Sequence, residues 1–460
     1  MVVIPSRGRS VTRCYDLSPM DAWDFSPPPP SALGDHDVAS VGSHLAGKRV
    51  ALLVSGGIAA FKAPLVARAL RRQGAKVVAF ASEEGLRYVT AETLEWSTVN
   101  PVVTRLTAAA EHLSLGRPFD AYLVAPATYN TINKMAAGVA DGAVTSALAS
   151  ALGRMEQGAT KVLVVPTMHG SLHNSILTAS LERLDAMGVR VVPPREDYGK
   201  HNLPSEEAIV AEVCRAVSAS PLAGVRVLVT GGPTPVPIDA VRRITNRFRG
   251  RLGAEIAAEL HLRGAEVRLV HGDGAFQPPL WVPFRVARTY DEYVDAVMEE
   301  LDTPTAAGVF SAAVADYAPK EVLPGKTPSG GALASLELVP TAKVIDLVRR
   351  RHPDLHMITF KYQEGIGHDE LMAIGRQRLS SLAGPGAVVA NRGEESGPHG
   401  EQVAWLLAGD GEARRLEGKP AIAAALADHL EAAAAAGTLV SARAGARGAA
   451  VPLDALGARR

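Results

Sequence analysis

Cysteine is nearly absent: Cys14 and Cys214 are the only two in 460 residues. Two thiols exclude a disulfide framework and any cysteine-rich zinc or iron–sulfur site. Net charge is absent too, with 48 Lys and Arg against 48 Asp and Glu. That balance argues against a nucleic-acid partner, because a domain that tracks phosphates is markedly basic. No apolar run reaches the roughly 18 residues of a transmembrane helix, so no membrane partner is expected. Residues 1–46 hold neither a continuous apolar stretch nor a small-residue cleavage site and do not read as a secretory signal. The 13 histidines show no HExxH or other metal-ligand spacing, so zinc chemistry is not expected. What remains is a soluble, cytoplasmic α/β protein, long enough for two or three domains.

The first 46 residues contain Pro27 to Pro30 as an unbroken run, with scattered Ser, Asp and Arg. Such a segment cannot bury enough apolar surface to offset its ordering entropy, so 1–46 is expected to be a disordered extension. From Lys48 the pattern changes. Strand-length apolar runs at Arg49–Val54, Lys76–Ala81, Ala121–Ala125, Lys161–Val165 and Val189–Val192 alternate with amphipathic stretches at Ala59–Gln73, Tyr129–Leu152 and Asn174–Met187. Short buried strands alternating with helices mean βαβ units and a parallel sheet.

A polar bridge, Pro193–Pro204, and a helix near Ser205–Val217 precede a second series. It has strands at Val225–Val229, Val267–Val270, Val309–Ala312, His356–Phe360, Ala387–Ala390 and Val403–Leu407, with a helix over Gly250–Arg263. Ala421–Ala436 reads as an alanine-rich helix packing the second domain. The expected division is an extension (1–46), a first domain (47–218), a second domain (219–437) and a flexible tail (438–460).

Both domains open alike. Val50-Ala-Leu-Leu-Val-Ser-Gly-Gly-Ile58 and Val225-Arg-Val-Leu-Val-Thr-Gly-Gly-Pro233 are each a strand, a hydroxyl residue and two glycines. Each places backbone N–H groups at the carboxyl end of a first strand, where open α/β sheets bind ligands. Neither is GxGxxG, so neither identifies an NAD site. A purely structural turn explains one of them equally well; two in one chain suggest one nucleotide-type site per domain.

Further motifs are more specific. In the first half, Ser55-Gly-Gly-Ile-Ala-Ala-Phe-Lys62 is followed by Glu111-His-Leu-Ser114, Ala125-Pro-Ala-Thr-Tyr-Asn-Thr-Ile-Asn-Lys134, Gly138-Val-Ala-Asp141 and Pro166-Thr-Met-His169. In this order they resemble the flavin-dependent phosphopantothenoylcysteine decarboxylases. The second half has Thr230-Gly-Gly-Pro-Thr-Pro-Val-Pro-Ile-Asp239, Ile244-Thr-Asn-Arg247, Ser311-Ala-Ala-Val-Ala-Asp-Tyr317 and Val389-Ala-Asn391, which resembles phosphopantothenate–cysteine ligase. Together, from about Lys48 to Ala432, they resemble the bifunctional proteins of coenzyme A biosynthesis. The resemblance implies an N-terminal flavoprotein-type parallel-sheet domain and a C-terminal Rossmann-like ligase domain.

For the first domain it implies FMN, contacted by Ser55, Gly56, Gly57, Ile58, Ser82, Pro126, Ala127, Thr128 and Met168. A flavin phosphate suits the Ser55–Ala59 turn, where its charge meets uncapped N–H groups and the positive end of a helix. For Ser82 an ordinary N-cap role is equally open. The implied catalytic residues are His112, as acid/base during thiol oxidation, and Asn130, whose amide would hold the substrate carboxylate.

This sequence also departs from the family. His169 and His173 stand where the family has asparagine and tryptophan. The flap segment Pro193–Pro204 lacks the cysteine that delivers a proton in decarboxylases that make the saturated thiol, and Tyr198, Lys200 or His201 could substitute. Cys214 falls on the linker helix, where packing is the expected role. Three outcomes stay open: full decarboxylation with a different proton donor, release of an enethiol, or loss of catalysis with flavin retained.

For the second domain the resemblance implies CTP with Mg²⁺ and an acyl-cytidylate attacked by the amine of cysteine. Gly231 and Gly232 would cradle phosphates, and Asn246 would contact the acyl-cytidylate. Ala312 and Ala313 are small where backbone approaches nucleotide. Asp316 would bind the sugar or the Mg²⁺ shell. Lys326, if not simply a solvated loop lysine, would stabilise charge on the reacting phosphate. Asp239, Phe360 and Lys361 complete the expected nucleotide pocket. Here too the chain departs: Arg247-Phe-Arg-Gly-Arg251 follows Asn246, and Thr359-Phe-Lys-Tyr-Gln-Glu364 introduces Lys361 and Tyr362. The expected partners are a phosphopantothenate-like acid, cysteine and CTP, in a homo-oligomer that is trimer-based or larger. A dedicated pathway on a related substrate and a non-catalytic flavin-binding scaffold are the competing readings.

Overall fold

The computed structural model describes residues 25–113, 117–327 and 336–439. Residues 1–24 of the expected extension therefore fall outside the described residues, and so does most of the expected tail. Residues 25–39 include a turn in which Asp37 N donates to Gly34 O at 3.0 Å and Gly34 N to Asp37 Oδ2 at 2.9 Å.

Packing in the main body begins earlier than Lys48. Val41 N donates to Arg72 O at 3.0 Å, Leu45 N donates to Gln73 O at 2.9 Å, and Leu45 is fully buried. One core leucine and two backbone bonds are enough to pin six residues, which an average over 1–46 conceals.

The first half runs β1 (Arg49–Val54), α1 (Ala63–Arg72), β2 (Lys76–Ala81), α2 (Ala91–Thr98), β3 (Ala121–Ala127), α3 (Tyr129–Ala136), α4 (Ala143–Glu156), β4 (Lys161–Pro166), β5 (Met168–His169), α5 (Ser175–Ala186), β6 (Arg190–Val191), β7 (Arg195–Asp197), β8 (Lys200–Asn202) and α6 (Glu206–Val217). A parallel sheet in the order β2-β1-β3-β4-β6 forms its centre. The strands read as unbroken apolar runs because both faces are covered. Val50, Leu52 and Val54 pack with Val66 and Leu70 of α1 and Ile209 and Val213 of α6. Ala51 and Leu53 face the opposite way, toward Leu148 of α4 and Leu184 of α5.

The stretch Tyr129–Leu152, expected to continue as one helical unit, is two helices. Gly138 takes a positive φ of 73° and Gly142 an extended one as the N-cap of α4; the first lies in the left-handed region that ends a helix at little cost to glycine. The polar bridge is a hairpin, not a loose connection. β7 and β8 pair through a two-residue turn whose members, Tyr198 and Gly199, both have positive φ, and β8 pairs on to β5.

The second half runs β9 (Arg226–Gly231), β10 (Val236–Pro237), β11 (Arg243–Ile244), α7 (Arg251–Leu262), β12 (Glu266–Gly272), β13 (Phe284–Ala287), α8 (Tyr290–Leu301), β14 (Ala307–Phe310), β15 (Tyr317–Pro319), β16 (Leu338–Pro340), α9 (Val344–Arg351), β17 (His356–Gln363), α10 (His368–Ser381), β18 (Gly386–Arg392), β19 (Val403–Leu407), β20 (Arg414–Glu417) and α11 (Lys419–Ala435). Its main sheet has the order β13-β12-β9-β14-β17-β18-β19-β20, parallel up to β18 and antiparallel through β19 and β20. Val227 and Val229 face α7 and α11, while Leu228 faces α8. The alanine-rich α11 packs this domain, burying Ile422, Leu426 and Leu430.

The halves meet across α6 and α7. Arg215 donates to the Ala265 carbonyl, and Ser218 Oγ donates to Arg263 O at 2.8 Å. Cys214 is buried in the first-half core, where burial pushes its thiol up to about 12; it is a packing residue, as expected.

At the amino end of β17, His356 Nε2 and His429 Nε2 lie 2.9 Å apart. Burial pushes His356 down to about 4, with the neighbouring His429 and Arg349 adding to the effect, and burial lowers His429 as well. A depressed histidine keeps its stabilising effect above the unfolded value of 6.5 and loses it as pH falls toward the folded value. Lowering the pH from 7 to 5 should therefore cost about 2 kcal/mol through His356. Urea midpoints at the two pH values will measure it, and His356→Leu should flatten the dependence.

Candidate functional site

In the first sheet the strand order reverses between β1 and β3, which opens a crevice at their carboxyl ends. Three loops meet there. Ser55, at the end of β1, is buried; its Oγ donates to Pro126 O at 2.7 Å and accepts from Thr128 N at 3.3 Å. The Ser55 side chain thus ties β1 to the loop after β3, and only the backbone of this turn is left to face a ligand. A Cβ on Gly56 would stand 2.4 Å from Glu84 Cβ, and one on Gly57 would stand 3.0 Å from Thr128 Cγ2. The glycines let the turn lie flush against the other two loops.

Beyond them, Ile58–Lys62 forms a 3-10 turn that runs into α1 with no acidic residue in its first turn. Its open N–H end suits an anion. Ser82 Oγ accepts from Gly85 N at 3.0 Å, so of the two roles left open for Ser82 the local cap is the one observed. Pro126 and Ala127 are buried, Thr128 is half-buried, and Met168 packs with Ala127 and Ile132 at the root of the hairpin.

Asn130 sits exposed in the first turn of α3 and makes no side-chain hydrogen bond among the described residues. His112 lies on a 3-10 turn, Glu111–Leu113. Glu111 accepts from Thr107 Oγ1 and from Thr107 N, the latter at 2.8 Å, and these bonds hold its carboxyl below the usual range. His112 Nδ1 is buried without a partner. That orphaned nitrogen is the feature a bound substrate or cofactor would satisfy. Among the described residues no hydrogen bond joins His112 to Asn130 or to the Ser55 turn.

In the second sheet the order reverses between β9 and β14. Gly231 packs against Gly253 of α7, where a Cβ on Gly253 would come within 2.7 Å of Gly231 Cα. Gly232 has φ 80° and lies against Gly272. Ala313 N donates to Gly232 O at 2.9 Å, and Asn246 Nδ2 donates to Ala313 O at 2.8 Å. Gly232, Asn246, Ala312 and Ala313 therefore form one crevice, with Asn246 Oδ1 unused.

Asp316 is exposed and ion-paired with Lys343. No group of three His, Cys, Asp or Glu side chains is arranged for a metal among the described residues. A Mg²⁺ ion would accordingly depend on nucleotide phosphates for most of its oxygen ligands, as that ion commonly does.

Asp239 requires correction. Its side chain is buried and accepts from Val241 N, Arg242 N, Arg242 Nη1 and Thr327 N at 2.7–3.2 Å, chiefly backbone bonds that hold the carboxyl far below its usual range. Nothing remains on it for a nucleotide. It fastens the loop bearing Lys326, which is exposed. Phe360 is half-buried against the sheet core and Lys361 is half-buried on β17.

A clasp escaped sequence reasoning. Arg247 pairs with Glu364, Tyr362 donates to the same carboxylate, and the Phe248 and Tyr362 rings meet edge-on at 5.3 Å. It closes the segment after Asn246 onto the end of β17. The available signal was that Arg247, Phe248 and Tyr362 all lie where the chain departs from the resemblance; Glu364 was the missing partner.

Comparison with known proteins agrees with this division. The family described as Flavoprotein matches residues 38–218, and the DNA/pantothenate metabolism flavoprotein C-terminal domain matches residues 222–434. The coenzyme A biosynthesis bifunctional protein CoaBC of Thermococcus kodakarensis is 36% identical over 379 residues, covering 81% of this chain and 91% of that protein. The CoaBC protein of Mycolicibacterium smegmatis is 32% identical over 397 residues, covering 80% and 93%. Among solved structures, the DNA/pantothenate metabolism flavoprotein from Streptococcus pneumoniae is similar at 25% identity and a TM-score of 0.41, covering 45% of this chain and 99% of that one. With sequence similarity running through both halves and nearly the whole length of such relatives, the chain belongs to the CoaBC family of bifunctional coenzyme A biosynthesis proteins.

Proposed function

We propose that the chain joins cysteine to phosphopantothenate in its second half and decarboxylates the cysteinyl product in its first. The observation that carries this reading is the pair of switch-point crevices, each lined by the motif of its half: Ser55–Ile58 with Pro126–Asn130, and Thr230–Gly232 with Asn246 and Ala312–Ala313. Family membership over both halves supports it.

FMN is the cofactor of the first half, and when bound it supplies reversible oxidation at the thiol-bearing carbon. The 55–59 turn would receive its phosphate on backbone N–H groups, with no acidic side chain in that turn to oppose it. Asn130 holds the substrate carboxylate through its free amide, and His112 moves a proton at the unpartnered Nδ1. In the second half the acid would be activated by CTP as an acyl-cytidylate with release of pyrophosphate, and a Mg²⁺ ion would supply positive charge to the nucleotide phosphates. Gly231 and Gly232 would admit the phosphates, Asn246 would contact the activated acyl group, Lys326 would stabilise charge on the reacting phosphate, and Asp316, now paired with Lys343, would hold the ion.

Pyrophosphate should appear only when CTP, phosphopantothenate and cysteine are all present, and Asn246→Ala should lower its rate about 100-fold. No pyrophosphate from either CTP or ATP would refute the ligase. His112→Gln should lower carbon dioxide release about 100-fold while the protein stays yellow; unchanged release would remove His112 from this role.

We also read the protein as a homo-oligomer, trimer-based or larger. Ile58 and Phe61 on the 3-10 turn and Leu65 in the first turn of α1 are 72%, 54% and 51% exposed, large apolar side chains left uncovered close together along the chain. Light scattering should show Phe61→Asp reducing the assembly to smaller species.

A further inference from the structure

The hairpin beyond β6 carries a hydrogen-bonded histidine pair that the mechanism above leaves unused. Antiparallel pairing of β5 with β8 sets Met168 opposite His201. The 3-10 turn Gly170–Leu172 then brings His173 back, so that His173 Nδ1 and His201 Nε2 lie 2.8 Å apart.

The neighbours decide where the protons are. Thr178 Oγ1 donates to Asn174 O at 3.2 Å and lies 3.3 Å from His173 Nε2. A hydroxyl has a single hydrogen, so toward His173 this oxygen accepts. Neutral His173 therefore carries its proton on Nε2, its Nδ1 accepts, and His201 donates from Nε2. The lone pair of neutral His201 is left on Nδ1. That atom is buried with no hydrogen-bond partner, and Glu196 Oε1 stands 3.6 Å away.

The other charged or titratable groups nearby are Arg195 and Asp197 on β7, Lys200 on β8 and His169 on β5; His169 Nδ1 is tied to Ser171 at 2.8 Å. Tyr198, at the tip of the turn, is 87% exposed. Met168, opposite His201, belongs to the same apolar cluster as Ala127 at the end of β3 and Ile132 on α3.

We propose that His201, protonated at Nδ1, is the proton donor of the decarboxylation, with His173 as the positioning residue that fixes its tautomer. This rests on the decarboxylase reading above. Loss of carbon dioxide breaks a carbon–carbon bond and leaves its electron pair on the remaining skeleton. That pair ends as a C–H bond, so one proton is consumed for each carboxylate lost. His201 gives it from Nδ1 and becomes neutral, still donating from Nε2 to His173, and water restores the proton past the exposed Glu196.

The test uses the full-length chain. At pH 8, imidazole nitrogen shifts should show His201 protonated at Nε2 and bare at Nδ1, with His173→Ala relaxing it to a mixture of tautomers. His201→Gln should lower kcat for carbon dioxide release about 100-fold, with KM and flavin content little changed and with rescue by added imidazole. His201 bearing its proton on Nδ1 at pH 8 overturns the proposal. So does a His201→Gln protein within about twofold of an active parent, which leaves the decarboxylase reading standing. A parent chain that is yellow but releases no carbon dioxide defeats that reading and this proposal together.

Discussion

A parallel strand cannot turn directly into its neighbour, and this constraint organises the whole molecule. In the parallel part of each sheet every connection must cross over, so those strands deliver their next loops to the same edge. Where the crossovers change face the edge splits into a crevice, and each large sheet here has one: between β1 and β3, and between β9 and β14. The two hydroxyl-Gly-Gly turns lie at those places because a first strand always borders the switch. The apolar cores on both faces fix the strands and thereby the loops.

Around each crevice the structure separates residues that face a ligand from residues that hold the ligand-facing loops. Ser55 and Asp239 belong to the second kind. Both are buried, and both use their oxygens on backbone of another loop, Pro126 and Thr128 for Ser55, Thr327 for Asp239. A buried oxygen left unpaired is costly, so such residues bind their own chain before any ligand arrives. The atoms that remain unpaired, His112 Nδ1 and the exposed Asn130 amide in the first half and Asn246 Oδ1 in the second, are where chemistry can enter.

The parallel runs were legible because both-face burial writes itself as continuous apolar sequence, as in Val50–Val54 and Val227–Val229. The motif residues were legible as residues but not as roles: nothing in a hydroxyl-Gly-Gly string says whether the hydroxyl points to a phosphate or to the neighbouring loop. Strands of three residues, β7, β8, β15 and β16, did not register because they are too short to show a period. Their pairing depends on turn conformation, such as positive φ at Tyr198 and Gly199, and on partners far along the chain. The break between α3 and α4 was hidden for a related reason, since Gly138 interrupts an apolar period without ending it.

The amino-acid order alone determined that there are two α/β halves, that each opens on a strand followed by a hydroxyl residue and two glycines, and that two cysteines cannot build a disulfide framework, because these follow from local pattern and composition. Tertiary structure decided which groups meet: the Arg247–Glu364 clasp, the brace from Ser55 to Pro126, and the chain of bonds from Thr178 through His173 to His201. Partners separated by anywhere from five to 117 residues are chosen by the path of the backbone through space, and hydrogen-bond direction exists only once they are in contact.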